Sequence, residues 1–156
     1  MEIRVLAVGR LKERFYEDAQ KEYLKRLSAF ARVEVTELRE ELRGSGVTGE
    51  TALLREKESI LQRIPRDAVV IALCIEGKEM SSPQLASWLG EKIENGANRI
   101  YFVIGGSEGL HEEVKRRADL RLSMSPMTFP HHLARIMVLE QLYRAFDIRR
   151  GGKYHK

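Results

Sequence analysis

The chain has 156 residues, of which 43% are hydrophobic and 32% charged, with a net charge of +4. That is the size of one domain around one core, and no apolar run approaches the ~18 residues of a membrane-spanning helix. Cys74 is the only cysteine, which excludes an internal disulfide and a cysteine-rich metal site, so no metal and a reducing, cytoplasmic setting are expected.

The opening "MEIRVLAVGR" does not have the layout of a signal peptide: its apolar part is short, carries Arg4 and alternates as a strand does. Residues 3–9 therefore read as a first strand ending at glycine. The segment "KERFYEDAQKEYLKRLSAF" places Phe15, Ala19, Tyr23 and Leu27 four residues apart, the spacing of one helix face. "VEVTEL" (33–38) alternates with period two and predicts an edge or half-buried strand. Residues 39–50, polar with three glycines, predict a mobile loop, and a charged helix over 51–63 should stop near Pro65.

"AVVIALCI" (68–75) is continuously apolar, as a parallel strand buried on both faces would be. "EGKEMSSP" is then expected to turn the chain, with Ser82 as N-cap and Pro83 at the first position of a helix running past Trp88 to about Glu94. "RIYFVIG" is the next buried strand. A short helix over 111–118, a short strand over 120–124 and a long helix from Pro130 complete the chain.

Strands alternating with helices predict one α/β domain, residues 1–156, with a mostly parallel sheet of five or six strands and helices on both faces. Ligands in such sheets sit beyond the carboxyl ends of strands. Glu76–Gly77, Gly105–Gly106 and the residues after Met124 all fall at such ends. The positive excess gathers in "KRRADLR" (115–121) and the terminal "RRGGKYHK", and either could be simply a solvated charged face.

"GGSEG" invites a phosphate-binding reading, which its context does not support. A dinucleotide fingerprint would follow the first strand, where "VGRLKE" has one glycine, and no G-x-x-x-x-G-K-[ST] occurs. On its own the segment fits a tight turn and a ligand loop equally well. The next segment, "LSMSPMTFPHHLARIMVLEQLYRAF", sets the apolar Met124, Met127 and Phe129 outside regular structure. Loops seldom carry such residues unless they bury them against something, either the core itself, an aromatic ring or a partner chain.

"LAVGRLKERF", "EYLKRL", "GGSEGL", "LSMSPMTFPHHLARIMVLEQLYRAF" and the ending "YHK" closely resemble the ribosomal RNA large subunit methyltransferase H family, within the SPOUT class of S-adenosylmethionine-dependent RNA methyltransferases. The resemblance runs over the whole chain. It implies a C-terminal trefoil knot, S-adenosyl-L-methionine as cofactor, and methylation of N3 of a pseudouridine in 23S ribosomal RNA on the assembled ribosome. It implies that Leu73, Gly105, Met124, Ser125, Pro126, Met127, Thr128 and Phe129 line the cofactor pocket.

For the chemistry, His131, Arg135, Tyr154 and His155 are the candidates. His131 matches the histidine of the family's "FPH", although histidines at a helix start often only bond backbone groups. Arg135 could hold phosphate, pair with a carboxylate or polarise a uracil carbonyl. Glu140 is an alternative helper or a buried partner of Arg144 or Arg135. Tyr154 could stack on a base and His155 could move a proton, in a tail that Gly151 and Gly152 set free and that is expected to close over the target base. The last helix, apolar around much of its circumference at Ile136, Met137, Val138, Leu139, Leu142 and Phe146, predicts a homodimer, as does the family.

Overall fold

The computed structural model describes residues 1–41 and 47–156. Five strands, β1 (Glu2–Val8), β2 (Arg32–Leu38), β3 (Val69–Glu79), β4 (Arg99–Ile104) and β5 (Leu120–Ser123), form one parallel sheet in the order β2-β1-β4-β3-β5. The helices are α1 (Arg14–Leu27), α2 (Gly49–Leu61), α3 (Ser82–Glu94), α4 (Glu112–Arg117) and α5 (His131–Arg149). The α/β architecture and the parallel sheet are as the alternation predicts.

Because side chains alternate along a strand, β1 and β4 each feed two cores. Ile3, Val5, Ala7, Ile100, Phe102 and Ile104 meet Leu27, Leu85, Leu89, Val138, Leu139 and Leu142 of α1, α3 and α5. On the opposite face Leu6, Val8, Tyr101 and Val103 meet Ile60 of α2 and Val114 of α4. Trp88 packs at the edge of the first core, with Lys92 Nζ 5.1 Å from its ring centre. Among the described residues no helix is long and apolar enough to cross a membrane.

Four expectations need correction. The apolar stripe of α1 does not all go inward: Leu27 is buried, but Phe15 is 65% exposed, because only the C-terminal end of the helix lies over the core. The N-cap of α3 is Ser81, whose hydroxyl accepts from the Gln84 N–H, while the Gln84 side chain accepts from the Ser81 N–H; Ser82 is already helical. Thr48 caps α2 by accepting from the Thr51 N–H, so Gly49 and Glu50 are helix rather than loop. The mobility expected of that loop falls on residues 42–46, which lie outside the described residues.

The fourth correction shapes the site. "EGKE" does not turn the chain away from the sheet. β3 pairs Leu73 with Leu122 of β5, bulges outward, and resumes pairing with Lys78 against the same Leu122. Gly77 makes the return possible, since a Cβ there would stand 2.7 Å from the Arg121 carbonyl oxygen.

Candidate active site

The segment after β5 starts at one edge of the sheet, while α5 begins against β1. Arg135 of α5 donates to the Gly9 carbonyl at 3.0 Å, and His131 Nε2 lies 3.8 Å from Glu40, just past β2. Residues 124–130 must therefore cross the carboxyl ends of β3 and β4. Under that crossing lies a cavity of about 670 Å³, within the range of small-molecule sites.

Three pieces of chain wall it. The bulge of β3 contributes Leu73, Cys74, Ile75 and Glu76; the turn after β4 contributes Gly105, Gly106, Ser107 and Gly109; the crossing loop contributes Met124, Ser125, Met127, Thr128, Phe129 and Pro130, with His131 at its end. Seven of the eight residues expected at a cofactor pocket thus come together here. Pro126 does not line the cavity and is exposed. The loop is shaped by its own serines: Ser123 Oγ donates to the Ser125 carbonyl at 3.2 Å, and Ser125 Oγ accepts from the Met127 N–H at 3.0 Å. Met127 is 73% exposed at the rim.

The glycine turn folds on itself. Gly109 N–H donates to the Gly106 carbonyl at 3.1 Å, and a Cβ on Gly105 would run into the Gly109 carbonyl oxygen. Gly105 is required by the turn's own backbone, one step before any ligand. The turn is then anchored from β2: Glu40 accepts from the Ser107 N–H at 2.9 Å and from its hydroxyl at 3.0 Å. Burial pulls the Glu40 carboxyl upward, but these bonds and the nearby His131 and His132 outweigh it and hold it below its usual range. No local motif in the sequence announces this contact, which spans 67 residues.

Arg135 is 1% exposed and does not line the cavity. It donates to Glu37 at 2.7 Å and to Gly9, so it locks the start of α5 onto the ends of β1 and β2. His131 and His132 lie ring edge to face at 4.3 Å, and Nε2 of each is buried without a hydrogen-bond partner among the described residues. Burial, then His131 and Arg135, hold His132 below its usual range.

Tyr154 and His155 are elsewhere. Tyr154 sets its ring edge-on to Tyr143 at 4.9 Å, and His155 Nδ1 is 3.1 Å from Arg144. Arg144 lies more than three turns beyond His131 on α5, roughly 20 Å along the axis. Within one chain the tail does not reach the cavity.

A family profile described as "Predicted SPOUT methyltransferase" matches residues 1–155. The chain belongs to the SPOUT methyltransferase family. Its relatives include proteins called ribosomal RNA large subunit methyltransferase H. That of Carboxydothermus hydrogenoformans is 45% identical, and those of Bacillus thuringiensis and Bacillus cereus are 47% identical, each over the full length of both chains.

In this SPOUT methyltransferase two further charged side chains at the cavity, Glu76 and Lys115, are paired with each other. Lys115 donates to Glu76 at 2.5 Å and holds its carboxyl below the usual range, while burial and then Glu76 push the Cys74 thiol up, so Cys74 stays a protonated wall residue. Much of the basic run is committed too: Arg117 donates to the Pro65 and Ala68 carbonyls, and Arg121 to that of Lys115.

Proposed function

We propose that this methyltransferase moves a methyl group from S-adenosylmethionine to N3 of a pseudouridine in large-subunit ribosomal RNA, on the assembled ribosome in the cytoplasm, and that it works as a homodimer. The observation that carries the reading is the cavity itself, walled by the crossing loop and the glycine turn, in a chain that its relatives match from end to end. The lining suits the cofactor. Leu73, Ile104, Leu110, Leu122, Met124 and Phe129 offer apolar faces to a flat adenine, and the turn's backbone offers polar atoms without intervening side chains. The crossing loop, passing over two strand ends before α5 returns to β1, is the place for the family's knot.

Bound S-adenosylmethionine supplies an electrophilic methyl group on its sulfonium. The protein's part is alignment of nitrogen, methyl and sulfur, an effect worth on the order of 7–11 kcal/mol. His131 stands at the cavity's edge to orient the substrate. Tyr154 would stack on the base and His155 would contact it, and because the tail is remote from its own cavity, a second copy of the chain must bring it there. Arginine has donors only, so Arg144 donates to His155 Nδ1 and the proton sits on Nε2. Paired in this way, His155 presents a hydrogen-bond donor to a uracil carbonyl and serves as a base only after leaving Arg144. Arg135 acts at a distance, by fixing α5.

The test is methyl transfer from tritiated S-adenosylmethionine to ribosomes, large subunits and free ribosomal RNA prepared without the modification. Label is expected on ribosomes, and a folded protein that labels none of the three contradicts the reading. For the pocket, Glu40→Ala removes both anchors of the glycine turn and is expected to weaken S-adenosylmethionine binding about tenfold, ~1.4 kcal/mol, by calorimetry. Unchanged affinity would show that the turn holds without Glu40.

A further inference from the structure

The last six residues fold back onto the end of α5, where the Asp147 carboxylate holds the Tyr154 amide. Asp147 is 1% exposed although it sits in the final turn of the last helix. A helix C-terminus favours cations, so an acid there does not serve the helix. A buried carboxylate also needs partners to be tolerated, and among the described residues those of Asp147 come from the chain that follows it. Its Oδ1 accepts from Arg150 Nε at 3.0 Å and Nη2 at 2.7 Å, its Oδ2 from the Tyr154 N–H at 2.9 Å, and its carbonyl from the Gly152 N–H at 2.9 Å.

The tail is cut to fit this carboxylate. Gly151 has φ +74°, and a Cβ on Gly152 would overlap the Asp147 carboxylate. With its amide held, Tyr154 lies against Tyr143, the Arg144 guanidinium stands 4.7 Å from its ring centre, and Arg144, paired with Glu140 at 2.6 Å, holds His155. The two glycines thus dock the tail where the sequence suggested they would free it.

We propose that Asp147 is a positioning residue for methyl transfer: it presents Tyr154 and His155 to the RNA base as a preformed edge, so that little ordering remains to be done on binding. The proposal rests on the reading of the tail given above. Nothing in it requires Asp147 to touch RNA or cofactor.

The full-length protein is assayed on ribosomes beside a version lacking residues 151–156. Asp147→Ala is expected to lower kcat about 10- to 100-fold, the cost of misplacing a group near the reacting atoms. Cofactor Kd should stay unchanged, the Tyr154 amide should exchange freely, and the His155 ring resonances should move to unstructured positions. Gly152→Ala, which opens no core, should reproduce these changes if Asp147→Ala fails to fold. Normal kcat in both variants, with the truncated protein inactive, overturns the proposal and leaves the tail's role intact. Cofactor affinity falling in parallel with kcat also overturns it, since Asp147 would then be a plain structural residue. Full activity of the truncated protein removes the tail from the reaction and the proposal with it.

Discussion

Removal of residues 151–156 is expected to abolish methyl transfer, by at least ~100-fold in kcat, while cofactor affinity and dimerisation stay nearly unchanged. Within one chain none of these residues lines the cavity, and the tail that a second copy would bring is assigned to the RNA base, so S-adenosylmethionine should sense their loss little. The body of α5 keeps its packing through Val138, Leu139, Leu142 and Ala145. What disappears is the pairing of Tyr154 with Tyr143 and of His155 with Arg144, together with the Gly152 and Tyr154 N–H bonds to Asp147, which keeps Arg150. Tritium transfer, calorimetry and sedimentation of the same preparation separate the outcomes. Full activity would make the tail dispensable, and lost cofactor binding would make it part of the scaffold.

The largest effect on stability is expected at Glu37. Arg135 is almost wholly buried, whereas the Glu37 side chain is 38% exposed. Glu37→Ala therefore leaves a buried guanidinium with the Gly9 carbonyl and a longer 3.4 Å contact to Gln20, a loss of about 3 kcal/mol. Arg135→Met should cost less, about 1–2 kcal/mol, because the stranded carboxylate can reach water and still accepts from the Leu11 N–H at 3.0 Å. Urea unfolding of both variants checks the order, and equal losses would mean that desolvation of Arg135 is not the issue.

Acid should act on the same pair. Burial raises the Glu37 carboxyl, but hydrogen bonds from Arg135 and Leu11 and the charges of Arg135 and Arg10 outweigh this and leave it below its usual range. A depressed folded value stabilises fully above the unfolded pKa of ~4.3 and is lost as pH falls through the folded one. Wild type should therefore lose stability across that acid window more steeply than Glu37→Ala does.

Which parts were legible follows from the range of each interaction. Strand alternation placed Ile3, Val5 and Ala7 opposite Leu6 and Val8, because period two is a local property. The crossing loop was legible only through its likeness to a family, since no periodicity says what Met124 and Phe129 bury against. The bulge of β3 was hidden because it depends on how closely Gly77 approaches Arg121 of another strand. Nothing local marks Glu37 and Glu40 near the end of β2, because their partners Arg135 and Ser107 lie far along the chain. Phe15 misled because helix spacing shows a face and not how far the core extends beneath it.

On the proposed function, this cavity delivers a methyl group to a ribosomal pseudouridine. The most direct measurement is mass spectrometry of nucleosides from 23S ribosomal RNA after unmodified ribosomes are incubated with the protein and S-adenosylmethionine. One pseudouridine heavier by a methyl group on N3 is expected, absent when residues 151–156 are removed. A methyl group on another base, or on none while the cofactor binds normally, would contradict it.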